Sequence, residues 1–511
     1  MNEKAYFSAA ALIAAVSASL VWFATLQGPG TTPDSLQYLF SAQDLFAGES
    51  LRALSRHWPP GYALLISLLL SLGLEPAWAL RVLSTTIAFL NVMLFAACVR
   101  PLQGQPTPVS LLATAAIGLS PSMLSVSIMA LSEPPFLAFL MCALLGLRAY
   151  LVSGSWRALG FAGVFLACAL FTRYSGIAFV GLVSLWLFVI HRKASPLRAA
   201  GSGAAVAVIA ILPLAVWLLW PAGTVSGAAP RTLAFHMVDG ERLLQALVVA
   251  RDWFNASVIG TTFATLIGVA SVGLMLWTLR PGMASDVERS FVGLCLGSAI
   301  GYFGFLLVSI SLFDFYTPLD LRVLCPALVL VAMGVGISAS RLALSGPVSI
   351  LVAASLLTVP MIAGLRPLSA TVSATMRSIP GYFNPAVARM PVLTKARQLG
   401  DVLIYSNAPE LVRLSTGRSA RMLPAFSDMV RNEPVPAFDV NQRALLSDVV
   451  AGRAVVVYFN AFVWRAYLPK RPAFLGVGGT EFVYDGADGW VLSGAQISPS
   501  TDRDQGAKSR I

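Results

Sequence analysis

Charged side chains are scarce in this sequence, and many of them stand where an apolar run begins or ends. The densest polar group lies in residues 28–62 and comprises Asp34, Asp44, Glu49, Arg52, Arg56 and His57, with Tyr62 at the end of the segment. Apolar residues at helical spacing predict a short amphipathic helix over residues 35–47. Asp34 then has two roles open to it. It can cap this helix, since aspartate favours that position, or it can act as a general base.

Further along the chain, single charges stand beside apolar runs in the same way. Glu133 begins a run, where an acid either supports the first helical turn or serves a site. Arg173 separates two runs and either anchors at the membrane interface or binds an anion. Arg322 follows Asp320 by two residues, so it either pairs with that acid or presents its guanidinium to an anion. Arg81 lies near the outer end of a run, where arginine either is paired or functional or extends its charged end to the membrane interface.

The composition indicates the class of protein. Of the 511 residues, 57% are hydrophobic and 12% are charged, whereas ordinary soluble domains have about 25% charged residues. Apolar runs of about 20 residues recur, each long enough to cross a hydrocarbon core of about 30 Å. The sequence therefore predicts a multi-pass protein that contacts membrane lipids. No dense Lys/Arg run with interleaved aromatic residues is present, which argues against a nucleic-acid partner.

The fold predicted from these runs is mainly α, with about 11 transmembrane helices. The predicted spans are 5–26, 77–99, 109–125, 134–152, 159–171, 176–190, 199–220, 257–279, 291–312, 321–340 and 347–365. The run at 61–74 is short for a span and is predicted to be an interfacial helix in the first outer loop. After residue 366 the composition becomes that of a soluble domain, with strands at 401–405 and 454–459 and a hairpin across 485–489. The predicted domains are thus a transmembrane catalytic domain (1–366), a small α/β domain (367–498) and a disordered tail (499–511).

The charges of the loops predict an orientation. One set of turns is basic and holds Lys4, Arg100, Arg157, Arg192, Lys193, Arg198, Arg280, Arg289 and Arg341. The opposite turns at 120–133 and 313–320 contain acids and neither Lys nor Arg. By the positive-inside rule the N-terminus is cytoplasmic, whereas residues 28–62 and the C-terminal domain face the periplasm or cell exterior of a bacterial inner membrane.

At this point the sequence resembles the GT-C superfamily of polytopic glycosyltransferases. The nearest types are bacterial relatives of protein O-mannosyltransferases and lipid A aminoarabinose transferases, which are like glycosyltransferase family 39. Four pieces carry the resemblance: Pro33-Asp34-Ser35 followed by Tyr38, the Pro-Pro-Gly-Tyr turn at 59–62, Ser-Glu-Pro-Pro at 132–135, and Arg322-Val-Leu-Cys-Pro326. The resemblance implies an inverting transfer of a sugar from a polyprenyl-phosphate donor to a glycan, lipid or protein acceptor. No nucleotide cofactor is expected, because nucleotide sugars are confined to the cytoplasm.

The resemblance implies the catalytic role of Asp34, and the chemistry of the reaction suggests roles for the other residues named above. Asp34 is the expected catalytic base, with Glu133 as a second catalytic acid. The expected donor phosphate-binding residues are Arg322, Arg81 and Arg173, and the residues expected to orient the acceptor or donor are Asp44, His57 and Tyr62. Glu133 and His57 are also candidates for holding a divalent metal, on which members of the superfamily differ. Two other functions stay open: a transporter or flippase of polyprenyl-linked glycans, and a non-catalytic envelope assembly protein.

Overall fold

The computed structural model describes residues 1–51, 53–101, 105–193, 195–220, 233, 235–313, 315, 317–428, 433–462 and 464–495. The chain divides into two compact units. The first comprises Met1–Phe313 and Thr317–Phe383, and the second comprises Asp314–Tyr316 and Asn384–Ile511. The tail predicted at 499–511 lies outside the described residues.

The first unit is helical. Its helices are α1 (Glu3–Ala24), α2 (Pro33–Phe46), α3 (Gly61–Ser71), α4 (Pro76–Val99), α5 (Pro108–Gly118), α6 (Pro121–Ser127), α7 (Glu133–Ser153), α8 (Trp156–Thr172), α9 (Gly176–His191), α10 (Pro196–Leu219), α11 (Gly240–Asp252), α12 (Ala256–Ile259), α13 (Thr261–Thr278), α14 (Asp286–Leu312), α15 (Leu321–Leu342) and α16 (Pro347–Arg377). A 3₁₀ turn at Ala343–Ser345 joins the last two of these helices.

The described helices account for the predicted spans and confirm the fold class. Eight of them are long and apolar enough to cross a membrane, with mean hydropathies between 1.5 and 2.3. Helices α5 and α6 together are also long and apolar enough to cross, with an angle of 50° between them, and α8 and α9 are shorter apolar helices. Helix α3 has only 11 residues and is too short to span. The change of composition at residue 366 falls inside α16, which continues to Arg377.

Helix α15 is the central helix of this unit. In its apolar stretch 89% of the residues are buried, compared with 22% in α16. It is apolar all round, as expected for a helix covered by protein on every side. Its first turn carries Arg322, so this arginine is fixed to the most enclosed element of the membrane unit.

The second unit is a small α/β domain, as predicted. Its elements are α17 (Pro385–Ala388), α18 (Pro391–Arg397), β1 (Leu403–Ser406), α19 (Pro409–Thr416), β2 (Ala420–Met422), α20 (Phe438–Val450), β3 (Ala454–Phe459), a 3₁₀ turn (Arg471–Phe474), β4 (Thr480–Gly486) and β5 (Gly489–Gly494). The strand order is β2-β1-β3-β5-β4, with β1 parallel to both neighbours and β5 antiparallel to both of its own. Trp490 of β5 is 1% exposed and stacks on Tyr458 at 4.8 Å, which anchors the core of the domain. The predicted hairpin is β4–β5.

Candidate active site

Asp34 lies in the first turn of α2, and the helix is capped without it. The hydroxyl of Thr32 accepts from the Ser35 amide at 3.3 Å, and the Ser35 hydroxyl accepts from the Thr32 amide at 3.0 Å. These two bonds form a capping box, which satisfies two otherwise unpaired amides. The interpretation of Asp34 as the N-cap is therefore wrong. Its carboxylate is available to other partners, and capping does not explain the acidic residue at position 34.

The loop before α2 is held on two sides by backbone bonds. Gly30 donates to Ile128 at 2.9 Å and accepts from Ala130 at 2.7 Å, in a short parallel bridge. The Thr31 amide donates to Pro380 at 3.0 Å, and its hydroxyl accepts from the Tyr382 amide at 2.7 Å. These bonds fix the point from which α2 starts, and therefore the position of Asp34.

A glycine permits this close approach on one side. Gly381 has φ of +98°, and a Cβ atom at this residue would lie 2.0 Å from the Thr31 carbonyl oxygen. Any other residue would clash there and would also be strained at this φ. The segment after α16 is thus shaped to fit the loop before α2.

Glu133 starts α7 and faces arginine side chains. It is 1% exposed, and its carboxylate forms an ion pair with Arg173. The cap residue of α7 is Ser132, which makes no side-chain capping bond, and Glu133 is the acid of the first turn, where the helix dipole favours a negative charge. A buried carboxylate is stable only when it is paired, and two guanidinium groups provide that pairing here.

Arg173 follows α8 and is placed by a tight helix contact. A Cβ atom at Gly61 would lie 2.6 Å from the Phe171 carbonyl oxygen, so α3 approaches the end of α8 at backbone distance. This contact explains the glycine of the Pro-Pro-Gly-Tyr turn. Arg173 also donates to the Ser132 hydroxyl at 3.3 Å, next to its ion pair with Glu133.

Arg322 joins the two acids. Its Nη1 lies 3.1 Å from Asp34 Oδ2, and its Nε lies 3.4 Å from Glu133 Oε1. Asp320, the partner considered from sequence spacing, instead caps α15 by accepting from the Val323 amide at 3.0 Å. A cation in the first turn of a helix is opposed by the helix dipole, so the two carboxylates offset an unfavourable placement.

The four charged residues form a continuous chain, Asp34–Arg322–Glu133–Arg173, which we call the charge cluster. It holds two carboxylates and two guanidinium groups, so its formal charge is zero. Exposure rises toward one end: the side chain of Glu133 is 1% exposed, that of Arg322 is 28% and that of Asp34 is 39%. Asp34 and Arg322 are therefore the members that a ligand can reach.

Tyr38 is a member of the site that sequence reasoning mentioned without giving it a role. Its hydroxyl donates to the Ser132 hydroxyl at 3.3 Å, the same oxygen that Arg173 contacts. Burial raises the pKa of Tyr38, so the phenol stays neutral and remains a donor. Burial lowers the pKa of Arg173, but the Glu133 carboxylate together with Tyr302 and Tyr38 more than offsets this and the net pKa is raised, so Arg173 stays charged. The sequence signal for a role of Tyr38 in the site is its spacing, because it lies four residues after Asp34 and therefore on the same face of the helix.

Arg81 is placed in a different environment. Its guanidinium lies over Trp22 at 3.7 Å and Trp78 at 4.9 Å, and it donates to the Trp22 carbonyl at 3.1 Å. These contacts join α4 to the last turn of α1, whose carbonyls lack helical partners. The structure does not place Arg81 in the charge cluster.

The remaining predicted residues lie around the cluster or farther along α2. Tyr62 is 2% exposed and packs edge-on against Tyr38 at 5.2 Å, so its ring supports the site from behind. His57 packs on Trp58 with ring centroids 4.3 Å apart. Asp44 lies ten residues after Asp34 on the same helix, a rise of about 15 Å. In the described residues no three His, Cys, Asp or Glu side chains form a metal-binding group.

The cluster also establishes which helix ends share one side of the membrane. Asp34 comes after α1, Glu133 begins α7, Arg173 follows α8 and Arg322 lies in the first turn of α15. Consecutive spans run in opposite directions across the membrane. The four residues can therefore lie on the same side only if α8 and α9 each cross the membrane. Helix α8 has 17 residues, a rise of about 26 Å, which nearly matches the hydrocarbon core of about 30 Å.

Comparisons with known proteins agree with this architecture. The family model described as dolichyl-phosphate-mannose-protein mannosyltransferase matches residues 57–220, from just before α3 to the end of α10. No curated protein matches the chain significantly by sequence.

Solved structures with the same fold are similar over nearly the whole chain. ArnT from Cupriavidus metallidurans bound to undecaprenyl phosphate is 13% identical, with 94% of this chain and 97% of that chain covered and a TM-score of 0.56. ArnT in the apo state is 15% identical over the same shares, with a TM-score of 0.57. Archaeal oligosaccharyltransferase AglB from Archaeoglobus fulgidus, in complex with an inhibitory peptide and a dolichol-phosphate, is 11% identical and has a TM-score of 0.52. In that comparison 83% of this chain and 66% of the AglB chain are covered. These matches show the fold that this multi-pass membrane protein shares with ArnT and AglB, and the family model matches residues 57–220 of its 511 residues.

Proposed function

We propose that this protein is a membrane glycosyltransferase that transfers a sugar from a polyprenyl-phosphate donor to an acceptor on the non-cytoplasmic side. The observation that carries the proposal is the ion pair of Asp34 and Arg322, 3.1 Å apart. A partly exposed carboxylate beside a partly exposed guanidinium provides both groups that this transfer requires. One accepts a proton and the other receives a phosphate.

The reaction is a direct displacement at the anomeric carbon. The Asp34 carboxylate takes the proton of an acceptor hydroxyl or amine, whose oxygen or nitrogen then bonds to the anomeric carbon. The bond from that carbon to the phosphate oxygen breaks, and polyprenyl phosphate leaves with its electron pair and one more negative charge. The anomeric configuration is inverted. General base catalysis of this kind contributes a factor of about 10²–10⁴.

Arg322 stabilises the charge that develops on the leaving phosphate. Its side chain is 28% exposed, so it reaches an incoming anion while Glu133 keeps its Nε fixed. Preorganised cations directed at a developing charge lower the barrier because they need no reorientation during the reaction. We assign Glu133 and Arg173 to positioning, since Glu133 is too deeply buried to contact an acceptor.

The lipid-linked donor is supported by what the similar structures contain. ArnT was solved with undecaprenyl phosphate and AglB with a dolichol-phosphate. A polyprenyl phosphate presents its phosphate at the membrane surface, which is where the helix ends of the charge cluster lie. The acidic turns of this side and the basic turns of the opposite side support a position facing the periplasm or cell exterior, and the proposal puts the C-terminal α/β domain on that side too. The acceptor class, whether glycan, lipid or protein, is left to the assay.

The test is the substitution Asp34→Asn in the purified full-length protein. We expect turnover of labelled polyprenyl-phosphate sugars to fall by about 10²-fold or more, because the amide cannot accept the proton. Thermal unfolding should hardly change, since a partly exposed ion pair contributes about 0–1 kcal/mol.

The matched control is Glu75→Gln, which removes an exposed acid at the start of α4 on the same side of the membrane. This variant should keep its turnover. Unchanged turnover in Asp34→Asn would remove Asp34 from the mechanism. If the wild-type protein moved the labelled lipid between leaflets without transfer or hydrolysis, the protein would be a flippase and the proposal would be wrong.

A further inference from the structure

An open cavity of about 490 Å³ lies at the end of the membrane unit opposite to the charge cluster. It is formed where α1 begins and where α4 and α7 end. The residues that shape it are Phe7, Arg100, Leu145, Arg148, Ala149 and Val152. Two arginines and apolar walls therefore occur together at the boundary of the membrane.

Arg148 places a fixed positive charge beside this cavity. The residue is 4% exposed, and its guanidinium donates to the carbonyls of Ala97 at 2.7 Å and Cys98 at 2.6 Å, and to that of Arg100. These are final carbonyls of α4, whose dipole carries only about half a negative charge. A full positive charge therefore exceeds what capping needs, and part of it remains for an anion.

Arg100 contributes the reachable charge. Its side chain is 32% exposed and pairs with Glu3, which is 63% exposed. Such a surface pair is worth about 0–1 kcal/mol, so an anion that brings its own apolar contacts can compete with Glu3. Arg148 keeps its backbone partners while this exchange takes place.

The walls of the cavity suit a hydrocarbon chain. Val152 is 63% exposed on a membrane-spanning helix, and Ala149 is exposed one turn earlier on the same face, so both face the surroundings of the helix bundle. Both belong to α7, which passes from this end into the hydrocarbon core. A molecule that enters the cavity along this face therefore contacts apolar side chains first and then reaches the two guanidinium groups at the membrane boundary.

We propose that this cavity binds an acidic phospholipid, with its phosphate at Arg100 and Arg148 and one acyl chain along α7. This end of the unit carries the basic turns, which places it at the cytoplasmic leaflet, where anionic lipids make the surface negative. Basic pockets between transmembrane helices on this side are a known form of lipid headgroup site. The site is independent of the proposed transfer reaction, because none of its residues belongs to the charge cluster.

The test is retention of phosphatidylglycerol by the purified full-length protein, measured by native mass spectrometry after detergent exchange. Arg100→Gln should weaken binding about fivefold, since a basic residue near an anionic lipid contributes about 1 kcal/mol. Glu3→Gln should strengthen binding, because it removes the competing carboxylate. Ala149→Phe should weaken binding without changing any charge, because its ring fills the acyl groove. Arg148 is left unchanged, since its loss would disrupt the end of α4.

The matched control is Arg157→Gln, which removes a basic residue from the first turn of α8 at the same end of the unit. It should bind phosphatidylglycerol as the wild type does. Equal effects of Arg157→Gln and Arg100→Gln would show nonspecific attraction and overturn the proposal. Equal retention of phosphatidylcholine would exclude headgroup recognition. Competition by inorganic phosphate as strong as that by the lipid would exclude the acyl groove.

Discussion

The substitution Glu133→Gln tests whether the buried carboxylate holds the charge cluster together. Glu133 is the only member of the cluster that contacts two guanidinium groups, those of Arg173 and Arg322. The amide keeps the size of the side chain but removes its charge. Arg173 is then left largely buried without a counter-ion, and Arg322 is left with Asp34 alone.

The magnitude follows from burial. Removal of one partner from a buried ion pair costs about 3–5 kcal/mol, mostly because the other charge stays desolvated. The side chain of Arg173 is 19% exposed, so we expect the lower end of this range, about 3 kcal/mol. Turnover should fall as well, because Arg322 loses the contact that orients it toward the phosphate.

The chain contains a matched pair for comparison. Glu288 pairs with Arg341 at the opposite end of the unit, with exposures of 2% and 18%, compared with 1% and 19% in the cluster. Glu288→Gln should therefore lower stability by a similar amount but leave turnover unchanged. Thermal unfolding in one detergent and transfer from a labelled donor are the two measurements.

A double variant distinguishes the cost of an unpaired buried charge from the cost of a changed side-chain shape. Glu133→Gln combined with Arg173→Gln removes both buried charges, so it should unfold at a higher temperature than Glu133→Gln alone. A Glu133→Gln variant that melts like the wild type would contradict the predicted cost of leaving Arg173 buried and unpaired. A double variant no more stable than the single one would contradict it too. Equal loss of turnover in Glu288→Gln and Glu133→Gln would show that Glu133 has no specific effect on the site.

Three further predictions concern neighbouring residues. Arg322→Lys keeps the charge but loses a charge-assisted hydrogen bond worth about 1.5–3 kcal/mol. The KM for the donor should therefore rise on the order of ten- to a hundredfold. An unchanged KM would mean that Arg322 does not bind the donor phosphate. Arg81→Gln should lower the unfolding temperature through the lost stacking on Trp22 while the donor KM stays the same, and a raised KM would restore the phosphate role predicted from sequence. Thr32→Ala should lower turnover and destabilise the start of α2 by about 1 kcal/mol, whereas Thr32→Ser keeps the cap; wild-type turnover in Thr32→Ala would show that the cap does not position Asp34.

The fold was accessible from sequence because hydrophobic length is a strong and local signal. Most long apolar runs became single helices, the run at 109–125 became the bent pair α5 and α6, and the short run at residue 61 became a helix that cannot span. The strand over residues 454–459 was also found with its observed bounds, since a run of valines with aromatic ends is typical of buried strands.

The partners within the site were less accessible, because sequence shows only neighbours along the chain. Asp320 stands two residues from Arg322, yet it caps its own helix while Arg322 turns to Asp34 and Glu133. Loop charge predicted that these residues share one side of the membrane. It did not predict which arginine would meet which acid, since that depends on helix packing.

For Arg81 the sequence suggested a ligand, whereas the structure shows protein partners for the guanidinium. An arginine at membrane depth indicates a function when its partners are unknown. Here the partners are two tryptophan rings and a helix-terminal carbonyl, which stabilise the charge without a ligand. Trp22 and Trp78 lie 59 and 3 residues from Arg81 along the chain, and only the packing of α1 on α4 brings all three together.

The loop before α2 has a consequence for the order in which the protein is assembled. Thr31 is translated early, but its partners Pro380 and Tyr382 come after the last spanning helix. Arg322 is likewise translated late. The charge cluster is therefore a product of the finished membrane unit, and a nascent chain that has inserted only its first helices does not yet have it. Ribosome-bound or truncated chains that end before residue 380 should lack the bonds from Thr31 to Pro380 and Tyr382, so the start of α2 should be held less firmly in them than in the finished unit.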